Sequence, residues 1–180
     1  MQHYLEKTKT TEERCPEVVV KNKKNAFNNP IAAYEANVDV DDVMGSEYLF
    51  KPIKRLDISP NVDGAIAFVL ADEETAKSLD IEPIWLKGFG WCSETPWLST
   101  RSMDAGYATM ASKMAYKMAG INHPKKEIDI AEVDDRFSYK EFQHLEALGL
   151  TDPGKAANLL EEGSLDVKGS LPTNISGGSL

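Results

Sequence analysis

At 180 residues and 42% hydrophobic content, the chain has the size of one ordinary domain and enough apolar side chains for a core. Its 29 acids outnumber 20 bases, a formal net charge of −9, which disfavours nucleic acid and anionic membranes as partners through bulk charge. No stretch reaches the roughly 18 apolar residues of a membrane span, the start lacks a signal-like apolar run, and Cys15 and Cys92 form no metal or redox spacing. A cytoplasmic, reduced protein is the expectation.

Taken in chain order, residues 1–57 read as polar and irregular, with a basic knot "KNKKN" (Lys21 to Asn25) and breaks at Pro30 and Pro52. "DGAIAFVLA" (Asp63 to Ala71) is a continuous apolar run after a turn, the pattern of a strand buried on both faces. "DEETAKSLD" follows as a short helix with Asp72 as N-cap. "IEPIWLKGFGW" (Ile81 to Trp91) reads as another strand. From about Ser102 to Ala119 the spacing predicts a strong helix closed by Gly120, with Met103, Tyr107, Met110, Met114 and Met118 on one core-facing stripe. The strand "EIDIAEV" comes next, then helices near "SYKEFQHLEALG" and "GKAANLLEEG", and a Gly/Ser-rich tail. Alternating strands and helices predict an α/β layered fold with a largely parallel sheet.

Residues with chemical potential each have a plain structural reading. Lys21, Lys23 and Lys24 place three cations within four residues, a set that could grip a phosphate but that on the local sequence reads first as a solvated loop. The glycine pair in "NISGGSL" can bring backbone close to a ligand or form a flexible turn. His3, His123 and His144 share no metal-ligand spacing with a cysteine or acid, so no metal site is expected. Within "EIDIAEVDDRF" an apolar alternation runs into Asp134, Asp135 and Arg136, charges that need a reason.

Several segments together carry a resemblance. "YLEKTKTTEER" with "VVVKNKKNAFNNPIAAY", then "LFKPIKRLDISPNVDGAIAFVLADEETAKSL", "DIAEVDDRFSYKEFQHLEALGL" and "LPTNISGGSL" follow one another as in the thiolase superfamily. They are most similar to its sterol-carrier-protein-type branch. The resemblance implies a partial thiolase-like layered fold of α/β class. Residues 1–57 would be part of the loop domain, 58–80 the end of the first thiolase half, and 81–180 an incomplete second half. It also implies an acyl-CoA C-acyltransferase, working by thiolysis of 3-ketoacyl-CoA or by Claisen condensation. Coenzyme A or acyl-CoA is then a substrate, and no cofactor is tightly bound.

Such enzymes use a cysteine nucleophile activated by a histidine, a second cysteine for acid–base work, and two oxyanion holes. In the family the nucleophile lies upstream of the matched region, and the histidine (in a GHP motif) and second cysteine lie downstream. Neither Cys15 nor Cys92 matches a catalytic position, so these residues alone are expected to be inactive.

Position by position, "DDRF" stands where this branch writes HDCF, which makes Asp134 an altered oxyanion-hole residue. An ionised carboxylate only accepts hydrogen bonds and repels an oxyanion; it donates only if burial and Asp135 keep it protonated. Arg136 could instead pair with either acid, and Asp134 could be an ordinary surface acid. The resemblance also implies that Ser59 contacts the pantetheine arm and that Phe137 lies beside the acyl pocket. Lys21, Lys23 and Lys24 would contact CoA phosphates, and Asn174, Gly177 and Gly178 would form the approach to the active-site loop.

Three readings stay open: part of a thiolase, a non-catalytic thiolase-like subunit of a heteromeric complex, or an independent enzyme using Asp134 and Asp135 as acid and base. The partners implied are acyl-CoA and either a second copy or another thiolase-like chain. A small zinc-ribbon/OB-fold protein is a further candidate.

Overall fold

The computed structural model describes residues 1–180, the side chain of residue 98 excepted. Its elements run α1 (Gln2–Thr8), α2 (Arg14–Ala26), α3 (Val40–Gly45), β1 (Tyr48–Phe50), β2 (Ile53–Lys54), α4 (Glu73–Ser78), α5 (Gly106–Ala119), α6 (Pro124–Glu127), α7 (Ser138–Ala147) and α8 (Ala156–Glu161). The fold is mixed helix and sheet. Its centre is α2, packed against α3, α7 and α8. Val18, Val19, Val43, Phe142, Leu145, Leu160 and Leu165 close this core, and Leu171 and Leu180 return to it from the tail.

The helical start corrects the reading of residues 1–57 as irregular, and the "KNKKN" knot as a loop. Both lie on or around α2, whose buried face includes Lys21, Asn22 and Asn25 beside Val18 and Val19. Polar residues on the core side hide the usual 3.6-residue apolar period, so the helix was invisible to patterning. Other expectations hold. Asp72 caps α4 by accepting from the Thr75 N–H at 2.8 Å, and Gly120 ends α5 in the left-handed region at φ 74°. Helices α7 and α8 lie where the sequence places them.

The parallel sheet is not formed among the described residues. The named strands are one antiparallel hairpin, β1 with β2, and the "EIDIAEV" segment contributes a single parallel bridge from Ala131 to Thr173. Residues 63–71 and 81–91 contain no strand. Their side chains face solvent: Val69 is 95% exposed and Ile84 fully so. A strand buried on both faces needs flanking strands and covering layers, and none of the described residues supplies them.

The methionine stripe is corrected too. Met103, Met110, Met114 and Met118 are all exposed. The face of α5 that meets α7 is polar and aromatic instead. Thr109 Oγ1 donates to the Ala147 carbonyl and Tyr116 OH to the Leu148 carbonyl, each at 2.9 Å, with Ser112 buried between them along the helix. On another side, the backbone at Gly88 and Gly90 lies so close to Ala115 and Ala111 that no side chain fits at either glycine. No helix among the described residues is long and apolar enough to cross a membrane.

Candidate functional site

Two acids and two amides make a buried polar lattice between α2, α7 and the tail. Asn22 uses both hydrogens of its amide. Nδ2 donates to Asp135 Oδ2 and to Glu141 Oε2, each at 2.7 Å. Asn174 Nδ2 donates to Glu141 Oε2 at 2.8 Å, while its Oδ1 accepts from the Val133 N–H at 2.8 Å. Lys21 Nζ lies 3.3 Å from Glu141 Oε2 and donates to Asn22 Oδ1 and the Thr173 carbonyl at 2.5 and 2.8 Å. Glu141 Oε1 sits 3.2 Å from the same ammonium but out of line for a hydrogen bond, and it has no hydrogen-bond partner. Burial, the largest influence, pushes the Glu141 carboxyl up from its ordinary range, and Lys21 opposes the shift.

Asp135 joins this lattice to the last turn of the tail. Its Oδ1 accepts from the Ser179 N–H at 2.7 Å and the Ser179 hydroxyl at 2.6 Å. The turn is built for that contact. Asn174 takes φ 51°, a conformation asparagine tolerates. Gly178 has φ 64°, and a Cβ there would stand 2.1 Å from Asp135 Oδ2. Gly177 presses on α2 at Ala26, with room for no side chain. Asn174, Gly177 and Gly178 are thus brought beside the "DDRF" segment, with Asp135 as the tie.

Successive residues of an extended segment point to opposite faces, and the two acids separate accordingly. Asp135 is 1% exposed, whereas Asp134 is exposed and accepts from the Arg136 N–H at 3.1 Å. Arg136 pairs with neither acid: Asp135 is held by Asn22 and Ser179, and the Arg136 side chain points to solvent. A shallow cavity of about 270 Å³ is lined by Tyr107, Val133, Asp134, His144 and Leu148, among others. His144 is buried there. Its Nδ1 lies 2.8 Å from the Asp134 carbonyl, which can only accept, so Nδ1 carries the proton. Nε2 is then the acceptor for the Tyr107 hydroxyl at 2.7 Å. Burial, foremost, lowers the His144 pKa from its ordinary value, so the ring is neutral near pH 7.

The remaining candidates are scattered around this centre. The Ser59 N–H donates to the Arg136 carbonyl at 2.9 Å, and Ile58 bridges Phe137, which places Ser59 and Phe137 at one end of the segment. Lys23 is buried with its ammonium over the Tyr34 ring, while Lys24 is exposed. Cys15 is fully buried, and desolvation pushes its thiol up to about 12, the mark of an inert packing cysteine. Among the described residues no cluster of histidine, cysteine and acids could hold a metal ion. The sequence singled out Asp134 but missed Asn22, Glu141, Tyr107 and His144. A polar pair inside the predicted α7, and a lysine and asparagine directly after the valine run 18–20, were the only signals present.

Residues 94–180 match a family described as thiolase C-terminal domain-like. An acetyl-CoA acetyltransferase of Methanothermobacter thermautotrophicus is 35% identical over 94% of this chain and 44% of its own length. Sterol carrier protein 2 of Gallus gallus is 30% identical over 97% of this chain and 33% of its own length. The chain therefore spans less than half the length of these relatives. A solved structure titled Ltp2-ChsH2(DUF35) aldolase superposes with a TM-score of 0.82 at 24% identity, over 99% of this chain and 48% of that one. That likeness shows the same fold.

Proposed function

The chain belongs to the thiolase superfamily, and on that premise we propose that it forms part of a thiolase-type site for acyl-CoA thioesters. The reaction class is acyl transfer at carbon, by thiolysis of a 3-ketoacyl-CoA or by condensation in the reverse sense. One observation carries this reading. Asp135 ties the Ser179 turn to the segment that bears Asp134 and Phe137, so two stretches that resemble the family's active-site loops are held in fixed relation. A lattice of this kind serves positioning, on which acyl transfer depends. Ser59 and the exposed Lys24 supply a hydroxyl and a cation for CoA, whereas Lys21 is committed to Glu141.

The nucleophile and its base come from outside these residues, on this reading. Cys15 is sealed in the core. Calorimetry and an acetoacetyl-CoA thiolysis assay test it together. The expected outcome is salt-sensitive binding of acetyl-CoA, weakened in a Lys24→Ala/Ser59→Ala variant, with no detectable thiolysis. Losing members of a nucleophile–base unit costs many powers of ten in rate. No acetyl-CoA binding at any salt concentration sinks the proposal.

A second reading, as a subunit needing another chain, has its own support. The aldolase of similar fold is named for two components, Ltp2 and ChsH2(DUF35). Here Ile66, Phe68, Val69 and Leu70 are each more than four-fifths exposed, an apolar run of the kind that marks contact with another chain. Light scattering is expected to show self-association, or capture of a thiolase-like or DUF35-type partner when one is supplied. A monodisperse monomer indifferent to both ends this reading.

A further inference from the structure

Tyr107, His144 and the Asp134 carbonyl form a relay that none of the resemblances assigns. Tyr107 comes from the first turn of α5 and His144 from the last of α7. The rings meet edge to face with centroids 5.9 Å apart, so packing holds the 2.7 Å hydrogen bond in place. The imidazole cannot turn over, because its Nδ1–H is spent on the Asp134 carbonyl. Its Nε2 lone pair therefore faces the tyrosine hydroxyl. Both side chains line the cavity of about 270 Å³ that Asp134 also lines. This chain thus sets an imidazole from α7 against the backbone of Asp134.

We propose that Tyr107 and His144 are a proton-transfer pair acting on the carbon next to a thioester carbonyl bound in the cavity beside Asp134. The inference rests on the acyl-CoA reading above. In the step, the phenol oxygen of Tyr107 takes a proton from the α-carbon while its own proton moves to His144 Nε2. The C–H electron pair becomes the enolate, with the negative charge on the thioester oxygen. The imidazolium so formed is held by the Asp134 carbonyl, and reversal returns the proton to carbon. Nothing is oxidised or reduced, and no cysteine takes part.

The surroundings carry charge of both signs. Lys140 sits with its ammonium 5.8 Å from the Tyr107 ring centroid and donates to Gln143 at 2.7 Å, a cation beside the phenol. Asp134 and Glu132 line the cavity, and Glu94, Asp135 and Asp134 contribute the negative field felt by the pair and by Lys140. Burial keeps the imidazole neutral and ready to accept. Activity should therefore fall as pH falls through the lowered His144 pKa, since a protonated ring has no lone pair to offer.

The test is exchange of the methyl protons of acetyl-CoA in D2O, followed by NMR with the full chain, alongside calorimetric binding of the same acetyl-CoA. Exchange should exceed the protein-free control and drop by about a hundredfold or more in Tyr107→Phe. That variant keeps the ring and its packing and should still bind acetyl-CoA. His144→Gln should match it. Binding without exchange, or exchange unchanged in Tyr107→Phe, overturns the relay and leaves the acyl-CoA reading standing. Absence of acetyl-CoA binding overturns both.

Discussion

Lys21→Ala is expected to cost about 3–5 kcal/mol of folding stability, the range for removing one partner of a buried ion pair. In a chain of this size that is a fall in Tm of about 6–20 °C. The cost does not come mainly from lost attraction. Lys21 is 6% exposed and Glu141 fully buried, so alanine leaves a carboxylate with neither water nor a counter-charge. The Thr173 carbonyl and Asn22 Oδ1 also lose their donor. A double replacement distinguishes this account from simple loss of packing. Lys21→Met with Glu141→Gln removes both charges and keeps an acceptor for Asn22 and Asn174. It should recover most of the stability lost in Lys21→Ala. Thermal and urea melts of the unsubstituted protein, Lys21→Met, Glu141→Gln and the double variant form a cycle whose coupling should be well above 1 kcal/mol. Additive losses would mean that the pair is incidental.

Asp135→Ala is expected to release the Ser179 turn as well as destabilise the chain, by about 3 kcal/mol. Three hydrogen bonds end on this carboxylate, two from Ser179 and one from Asn22. Asn22 retains Glu141 as a partner, so the loss falls chiefly on the tail. Amide exchange at Ser179 should then approach that of an open chain, while exchange along α2 and α7 changes by no more than the global stability loss. Asp135→Asn is the informative companion. Its amide oxygen can accept on one side only, which leaves its NH2 group against donors, those of Ser179 or the Asn22 amide, so partial loosening is expected. Gly178→Ala should reproduce the released turn from the other side, because its Cβ would collide with Asp135 Oδ2 in a backbone already at positive φ. Ser179 protection unchanged in both Asp135→Ala and Gly178→Ala would show that other contacts hold the tail.

The adjacent acids show where reading residues one by one stops. Sequence patterning identified an extended segment that runs into "DDRF", but its inward side is Ala131, Val133 and Asp135, while Ile130, part of the apolar alternation, is 49% exposed. Which acid faces inward was not written there. Asp135 goes inside because Asn22 and Ser179, 113 and 44 residues away in sequence, have hydrogens to give it. Asp134, which the resemblance marked, stays outside, where its carbonyl rather than its carboxylate meets His144.

Local signals and the order of motifs determined much about this protein. The caps at Asp72 and Gly120 follow from short-range backbone chemistry, as do the extents of α7 and α8, and nearby residues suffice to specify them. Family and fold were legible because four motifs keep their order across the chain, a regularity that survives drift at single positions. The polar face of α2, the inward turn of Asp135 and the meeting of Tyr107 with His144 were decided only by tertiary structure. Each depends on a hydrogen-bond partner distant in the chain, and burying a polar group is favourable only once that partner is in place. The same reason accounts for the apolar runs at 63–71 and 81–91. Their sequence is fit for strands, yet a strand forms only where another backbone pairs with it, and no described residue does so here.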